Sequence, residues 1–133
     1  MPRNASSSII LLVDDEPLVA LDEAAILKKH GYEVITEYDA QNAIASVNEK
    51  NIDLILMDID LGSERMDGAK AADVILREKT LPIVFLTGHT EKEYVERVKS
   101  ITNYGYVLKN AGEFVLIESI TMAFELFKAQ SGW

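Results

Sequence analysis

Five polar residues in this sequence lie within two positions of the end of a short run of apolar residues. They are Asp14, Asp15, Asp58, Thr87 and Lys109. Carboxylates that come close together repel each other, and each raises the proton affinity of its neighbour. A hard divalent cation relieves that repulsion, and Mg²⁺ prefers oxygen ligands. If folding gathers these residues, we expect a magnesium site with a hydroxyl group and an ammonium group beside it.

A carboxylate held rigidly beside a cation is also suited to attack phosphorus. Aspartate can act as the nucleophile that forms an aspartyl-phosphate. With Asp58 in that role, Thr87 could hydrogen-bond one phosphoryl oxygen and Lys109 could pair with another, since positioning and charge neutralisation supply most of phosphoryl transfer. The sequence contains no GxxxxGK[ST] phosphate loop, so a bound nucleotide is not indicated.

Simpler interpretations exist for the same residues. Asp14 and Asp15 could cap a helix, because aspartate is a favoured N-cap residue. Asp58 could be an ordinary turn residue, Thr87 a loop hydroxyl and Lys109 a solvated surface cation. Their shared position at the ends of apolar runs favours the chemical interpretation.

Apolar runs alternate with helical patterns along the chain, which predicts an α/β fold. The expected strands cover residues 9–13, 32–36, 54–57, 83–86 and 104–108. The first expected helix begins at Pro17 and ends before Gly31. The second covers residues 40–50, and the third lies within residues 67–79. The fourth begins at Thr90, and the fifth covers residues 113–129. In the first helix, the apolar residues that recur near helical spacing are Leu18, Leu21, Ala25 and Leu27.

Strands separated by helices predict a parallel sheet with helices on both faces. Five such units suggest five helices and the flavodoxin-like strand order 2-1-3-4-5, with a switch point between strands 1 and 3. Ligands bind such sheets outside the carboxyl ends of the strands, where the five polar residues would converge. We expect one domain over residues 9–129, a flexible N-terminal tail over 1–8 and a C-terminal tail over 130–133.

The composition restricts the classes of function. The 133 residues suit one domain, and 48% of them are hydrophobic, which is enough to fill a core. A net charge of −9 disfavours direct binding to nucleic acid or to an anionic membrane. The absence of cysteine excludes disulfides, and two histidines are few for a zinc site. No apolar run approaches the roughly 20 residues that span a bilayer, so we expect a cytoplasmic protein.

The segments LLVDDEP, LILMDIDL, IVFLTGH and GYVLK, in this order, resemble the receiver domain of two-component response regulators. The resemblance spans about residues 9–129 and implies that Asp58 is the phospho-acceptor. It also implies a Mg²⁺ site. Asp15 and Asp58 would bind the ion directly, Asp14 would bind it through water, and Asp60 would bind it through its backbone carbonyl.

The same resemblance implies a switch and its partners. Thr87 and Tyr106 match the switch pair of the family, in which phosphorylation draws the hydroxyl inward and the aromatic ring follows. The phosphoryl donor would be a histidine kinase, a phosphotransfer protein or a small acyl-phosphate-type compound. Such a domain catalyses its own phosphorylation and dephosphorylation but turns over no outside substrate.

Two departures from the family pattern stand out. The family usually has proline after the lysine, with a cis bond before it, whereas Asn110 follows Lys109 here. A cis bond without proline costs about 2.5–4 kcal/mol, so either the fold bears that cost or the loop is trans and shaped differently. The loop over residues 62–68 is also longer than the common form and borders the expected site.

Two further residues follow the site residues at a spacing of two. Asp60 follows Asp58, and His89 follows Thr87, so both side chains should stand at the mouth of the pocket. We expect them to control how water reaches the phospho-aspartate and therefore its lifetime. The alternative is that both are ordinary exposed loop residues.

The last expected helix carries two apolar stripes. The stripe expected to pack on the sheet consists of Phe114, Ile117, Ile120, Phe124 and Phe127. The second stripe consists of Val115, Met122 and Leu126 and should be partly exposed. Exposed apolar patches often mark contacts, and in the receiver family the surface of the fourth helix, fifth strand and fifth helix often forms dimer or output contacts. We therefore expect a partner surface there, for a second copy of this chain in a homodimer or for another protein.

Two rival functions remain open. Asp58-Ile59-Asp60 superficially resembles the DxD nucleophile motif of haloacid-dehalogenase-type phosphatases, although that family places the motif after its first strand. The other rival is a receiver-like interaction module that is never phosphorylated, and Asn110 lends it some weight.

Overall fold

The architecture comes from a computed structural model that describes residues 8–61, 67–88, 96 and 104–130. Its strands are β1 (Ile9–Val13), β2 (Glu33–Glu37), β3 (Leu54–Asp58), β4 (Ile83–Thr87) and β5 (Tyr106–Leu108). Its described helices are α1 (Pro17–Lys29), α2 (Ala40–Glu49), α3 (Gly68–Leu76) and the C-terminal helix (Glu113–Gln130). The helix expected from Thr90 lies almost wholly outside the described residues, although Glu96 is helical.

The five strands form one parallel sheet in the order β2-β1-β3-β4-β5. The α/β class and the strand order expected from the sequence are therefore confirmed. Several element ends agree with the expected ones, and the others differ by one to three residues, most at α3 and β5. None of the helices in the described part of the chain combines the length and apolar character needed to cross a bilayer.

The register of the sheet brings the candidate site residues to one edge. Val13 of β1 pairs with Met57 of β3, so Asp14 and Asp58 follow at neighbouring positions. The last paired residues of β4 and β5 bring Lys109 to the same edge. This alignment places residues that are far apart in the sequence side by side.

Two core layers cover the faces of the sheet. Leu11 and Val13 belong to the layer that includes α2 and α3, whereas Ile10 and Leu12 belong to the layer that includes α1 and the C-terminal helix. Every residue of β3 and β4 is buried, as expected for strands covered on both faces. Because each buried large apolar side chain stabilises the fold by about 1.5–3 kcal/mol, these central strands are a rigid support for the residues at their ends.

The N-terminal ends of the helices show whether Asp14 and Asp15 act as helix caps. The side chains of Asp39 and Asp67 accept hydrogen bonds from backbone N–H groups in the first turns of α2 and α3. In contrast, α1 begins after Glu16, whose side chain makes no capping hydrogen bond. Asp14 and Asp15 are therefore not the N-cap residues of α1.

The apolar pattern expected for α1 does not mark its buried face. Leu18 is 82% exposed, and Leu21 is also largely exposed, whereas Ala20 and Ala24 are buried with Leu27. Both sets follow helical spacing, so periodicity alone could not choose between them. The path of the chain from β1 into α1 decides which set faces the sheet.

The packing stripe expected for the C-terminal helix is also partly wrong. Phe114 is 74% exposed, whereas Leu116, Ile120 and Ala123 are the buried residues of this helix. Phe127 is half-buried, and its ring lies 5.9 Å from the ring of Tyr104. The second stripe, formed by Val115, Met122 and Leu126, is exposed.

Candidate functional site

A cavity of about 270 Å³ opens at the carboxyl edge of the sheet. Its lining residues are Asp15, Glu16, Asp58, Asp60, Thr87, Gly88 and Lys109. These residues come from the ends of β1, β3, β4 and β5, so the sheet register rather than sequence proximity assembles them. Asp14 lies behind this lining and is fully buried.

Asp58 occupies the last position of β3 and is only 1% exposed. Its Oδ2 accepts a hydrogen bond of 2.8 Å from Lys109 Nζ, and its Oδ1 accepts one of 3.2 Å from the backbone N–H of Asp60. Burial raises the pKa of Asp58 to about 7, although the hydrogen bond and the positive charge of Lys109 oppose that rise. A hydrogen bond to each of its two oxygens therefore fixes the orientation of the Asp58 carboxyl group.

Lys109 approaches three carboxylates. Its Nζ lies 2.8 Å from Asp58 Oδ2, 3.6 Å from Asp14 Oδ2 and 4.0 Å from Glu16 Oε1. Burial lowers the pKa of Lys109, but the hydrogen bond from Lys109 to Asp58 and the surrounding negative charges outweigh burial and leave this pKa raised. The lysine is therefore a fixed positive charge in an otherwise acidic site.

The Asn110 departure does not displace the lysine. The backbone N–H of Lys109 donates to the carbonyl of Thr87 at 2.9 Å, which continues the pairing of β4 with β5. The peptide bond between Lys109 and Asn110 is trans. The sheet therefore positions Lys109 without the cis bond that the family pattern would supply.

An acidic cluster follows β1. Carboxylate oxygens of Asp14, Asp15 and Glu16 all lie within 4.8 Å of one another. Asp14 is held in place because its Oδ1 accepts the backbone N–H of Glu16 at 3.0 Å. Oxygen ligands in this number fit a hard cation such as Mg²⁺, which carboxylates bind together with water. Glu16 directly follows Asp14 and Asp15 in the sequence, but it was not among the site residues predicted from the sequence.

The two expected switch residues occupy different environments. Thr87 is buried at the end of β4 and lines the cavity, whereas Tyr106 on β5 is 43% exposed. In the sheet, Tyr106 pairs with Phe85, whereas Thr87 pairs with Leu108. Tyr106 is therefore not the direct pairing partner of Thr87. Their roles as a switch pair stay predictions.

Of the two residues expected to tune the lifetime of a phosphoryl group, one can be located. Asp60 lines the cavity, and its backbone N–H contacts Asp58. His89 lies outside the described residues, as does the loop over residues 62–66.

Gly68, at the start of α3, supports the site in a way that the sequence analysis missed. Its N–H donates to the carbonyl of Ile59 at 2.8 Å. A Cβ at this position would lie 1.9 Å from the backbone oxygen of Asp58, which is far inside van der Waals contact. Glycine at a helix start is a weak signal, and the close approach becomes visible only in three dimensions.

The profile of the response regulator receiver domain matches residues 10–121. The chain belongs to this family. Receiver domains bind Mg²⁺ and act with histidine kinases in two-component signalling, and the acidic cluster after β1 is consistent with a magnesium site.

Two similar proteins illustrate the match. The chain is 32% identical over 120 residues to the transcriptional regulatory protein PdtaR of Mycobacterium tuberculosis, with 90% of this chain and 58% of the relative aligned. It is 36% identical over 111 residues to the nitrogen assimilation regulatory protein NtrX of Azorhizobium caulinodans, covering 81% of this chain and 24% of the relative. The chain therefore spans between about a quarter and three fifths of the length of these relatives.

Solved structures agree with the fold. The N-terminal domain of a response regulator/sensory box/GGDEF three-domain protein from Carboxydothermus hydrogenoformans superposes with a TM-score of 0.86 at 44% identity, covering 93% of this chain and 99% of that chain. A CheY-like receiver domain protein from Methanospirillum hungatei gives a TM-score of 0.84 at 22% identity, covering 92% and 98%, which supports the fold alone.

Proposed function

We propose that this receiver domain is a phosphorylatable switch that accepts a phosphoryl group on Asp58 from a histidine kinase or phosphotransfer protein. The observation that carries the proposal is the 2.8 Å contact between Lys109 Nζ and Asp58 Oδ2 at a buried carboxylate beside an acidic cluster. Such a contact orients the nucleophilic carboxylate. It also places the ammonium group of Lys109 where it can pair with a phosphoryl oxygen as negative charge develops there.

The proposed reaction is an in-line displacement. The ionised carboxylate of Asp58 attacks phosphorus, an O–P bond forms, and the P–N bond to the donor histidine breaks, so that the nitrogen leaves with the bonding electrons. Burial disfavours the ionised form of Asp58, and the charge of Lys109 favours it. In the phosphorylated product, Lys109 would pair with one phosphoryl oxygen, and the hydroxyl of Thr87 would donate to another.

The donor set fits Mg²⁺ because it offers only oxygen ligands, and the carboxylate oxygens of Asp14, Asp15 and Glu16 already lie within 4.8 Å of one another after β1. Asp15 and Asp58 would hold the ion directly, Asp14 would hold it through water, and Asp60 would hold it through its backbone carbonyl. The bound ion would neutralise part of the charge on the carboxylate and the phosphoryl group. Asp60 and His89 would govern the access of water to the product.

The proposed output is a change in the surface formed by the helix expected after Thr90, β5 and the C-terminal helix. Movement of the Thr87 hydroxyl towards the phosphoryl group would let the Tyr106 ring follow. The exposed stripe of Val115, Met122 and Leu126 would be part of the surface that a second copy of this chain or another partner contacts. The domain would act in the cytoplasm and turn over no outside substrate.

The test is incubation with Mg²⁺ and acetyl phosphate, followed by intact mass spectrometry. We expect wild-type protein to gain one phosphoryl group, and we expect Asp58→Asn to gain none. Asp73→Asn is the matched control, because Asp73 is an exposed aspartate on α3 that forms an ion pair with Arg77, at the end of the same helix. Equal labelling of wild type and Asp58→Asn, or no labelling of wild type by either acetyl phosphate or a phosphorylated histidine protein, would refute the proposal.

The rival functions have less support. Asp58 ends the third strand rather than following the first, and the chain matches receiver domains, so the DxD resemblance to phosphatases is superficial. The never-phosphorylated module rested on Asn110, and Lys109 contacts Asp58 despite that residue.

A further inference from the structure

The carboxylate of Glu113 links the start of the C-terminal helix to the end of α1. Glu113 is the first residue of its helix, and its Oε2 lies 2.9 Å from Lys29 Nζ and 2.8 Å from His30 Nε2. Its Oε1 accepts a second hydrogen bond from Lys29 Nζ at 3.1 Å. A carboxylate can only accept hydrogen bonds, so His30 Nε2 carries the hydrogen in this contact. We call these three side chains the Glu113 clamp.

The clamp suits the ends of both helices. A helix dipole favours negative charge at the N-terminus and positive charge at the C-terminus, and Glu113 and Lys29 occupy these positions. The hydrogen bonds from Lys29 and His30 lower the pKa of Glu113 from its ordinary value. Glu113 is therefore ionised at neutral pH, where the clamp remains intact.

The clamp holds one end of the segment that follows Lys109. At the other end, the backbone N–H of Lys109 donates to the carbonyl of Thr87 at 2.9 Å, within the sheet. Residues 110–112 separate these two fixed ends, and all three are exposed. A turn hydrogen bond joins the N–H of Ala111 to the carbonyl of Leu108 at 3.0 Å. The segment contains no proline, and its first peptide bond is trans, so its covalent geometry restricts it little.

Packing gives this segment little support from below. A second cavity, of about 240 Å³, lies between α1 and the segment. Its lining includes Val19, Asp22 and Ile26 of α1, together with Lys109, Asn110 and Glu113. Groups that border an open space lack the van der Waals contacts that would hold them on that side. The clamp, rather than packing beneath the segment, therefore links the end of the segment to α1.

The position of this segment matters because Lys109 begins it. Lys109 Nζ lies 2.8 Å from Asp58 Oδ2, but it also lies 3.6 Å from Asp14 Oδ2 and 4.0 Å from Glu16 Oε1. These distances are so similar that a shift of about 1 Å would change which carboxylate the lysine contacts. Shifts of that size, caused far from the reacting atoms, can slow a reaction by about 10²-fold.

We propose that Glu113 is a positioning residue for Lys109, which links the segment to α1 through Lys29 and His30 and so keeps the ammonium group of Lys109 on Asp58. The inference rests on the proposed function, because the position of Lys109 affects a reaction only if Asp58 is phosphorylated. Exposed ion pairs contribute little to stability, so removal of the clamp should change the labelling rate far more than the unfolding of the protein.

The test removes one charge of the clamp at a time. We expect Glu113→Gln to slow the labelling of Asp58 by acetyl phosphate about two- to fivefold, which is the size of effect that an exposed ion pair supports. Glu118→Gln is the control, because Glu118 is an exposed glutamate of the same helix. Lys29→Gln should act in the same direction as Glu113→Gln, with Lys28→Gln in the same turn of α1 as its control.

Mg²⁺ affinity distinguishes a shifted lysine from a damaged site. None of the four substituted residues lines the cavity that holds Asp58. Isothermal titration calorimetry should therefore give the same Mg²⁺ affinity for all four variants as for wild type.

A double substitution shows whether Glu113 acts through the lysine. In a Lys109→Met protein, Glu113→Gln should have no further effect on the labelling rate, because the group that Glu113 positions is gone. A merely structural role would slow labelling equally with and without Lys109. The nitrogen-15 NMR signal of the Lys109 ammonium group is the second readout, and it decides the question if Lys109→Met labels too slowly to compare. Glu113→Gln should shift this signal, whereas Glu118→Gln should not.

The outcomes separate the two proposals. The role of Glu113 would be overturned by equal labelling rates in wild type and Glu113→Gln, by an equal loss with and without Lys109, by a changed Mg²⁺ affinity, or by an unshifted Lys109 signal. If instead Asp58 of the wild type is never labelled while Glu113→Gln shifts the Lys109 signal, the proposed function fails and the positioning of Lys109 stands.

Discussion

Charged side chains have different partners at the two ends of the sheet. At the amino end, Asp53 Oδ2 accepts the backbone N–H of Ile9 at 2.7 Å, and Lys79 Nζ donates to the carbonyl of Val47 at 2.8 Å. Each charge there completes a backbone hydrogen bond between neighbouring elements. At the carboxyl end, the described cavity lining holds four carboxylates and one lysine.

The difference indicates that one end serves stability and the other serves chemistry. A charge that satisfies a backbone group stabilises the fold, whereas carboxylates gathered without enough cations destabilise the metal-free protein. Loss of a carboxylate charge should therefore stabilise the metal-free protein at the carboxyl end and destabilise it at the amino end, and the following experiments examine the two ends.

The largest effect is expected where the backbone itself supports the site. Gly68→Ala would place a Cβ 1.9 Å from the backbone oxygen of Asp58, so α3 or the end of β3 must shift. We expect a loss of about 3 kcal/mol in the free energy of unfolding and slower labelling of Asp58. Urea denaturation and intact mass spectrometry measure the two effects.

Gly88→Ala is the control for this substitution. The built Cβ at Gly88 meets no atom of the described structure within 4 Å. Its stability should stay near that of wild type. A Gly68→Ala protein as stable as Gly88→Ala would mean that the start of α3 does not press on the site.

The pH dependence of stability should reveal the excess of carboxylates. Burial raises the pKa of Asp58 from its ordinary 3.8 to about 7, and that of Glu23 from 4.5 to about 8. Between these values the folded protein binds more protons than the unfolded chain, so stability decreases as the pH rises. We expect a loss on the order of 3 kcal/mol between pH 5 and pH 8 without metal.

Urea denaturation at a series of pH values, with a chelator present, gives this profile. Addition of Mg²⁺ at pH 8 should restore part of the loss, because a bound cation favours the ionised carboxylates. A metal-free profile that is flat or that rises with pH would contradict the contrast between the two ends.

The same substitution at each end gives the most direct comparison. Asp58→Asn removes a buried charge and should stabilise the metal-free protein by about 1 kcal/mol at pH 8. Asp53→Asn weakens a charge-assisted hydrogen bond to Ile9 and should cost about 1 kcal/mol. Changes of the same sign in thermal or urea denaturation would show that the two ends do not differ in this way.

The smallest effect on stability is expected at the exposed apolar stripe. Met122 is 59% exposed, so Met122→Lys should change the free energy of unfolding by less than about 0.5 kcal/mol. If the stripe forms a dimer contact, this change should abolish self-association that a phosphoryl mimic induces in wild type. Light scattering at high protein concentration, with the exposed Glu118→Lys as control, measures it. If wild-type protein stays monomeric with the mimic bound, the stripe is not a dimer contact that phosphorylation controls.

Sequence patterns sufficed for the features that depend on local composition. Continuous apolar runs such as residues 54–57 indicated strands buried on both faces, and their alternation with helices indicated the strand order. The strand-end positions of Asp58 and Lys109 predicted that both residues lie at the same edge of the sheet, and the contact between them is visible only in the structure. The helix faces were less predictable, because Leu18 and Leu21 obey the same periodicity as the buried residues of α1.

The sequence by itself determined the fold class, the strand order and the set of polar residues at one edge, because hydrophobic periodicity and strand-end position are local properties of the chain. Only the tertiary structure decided which helix faces are buried, that Gly68 contacts the backbone of Asp58, and that Glu113 contacts Lys29. These features depend on distances between elements that are remote in the sequence, and packing in three dimensions sets those distances.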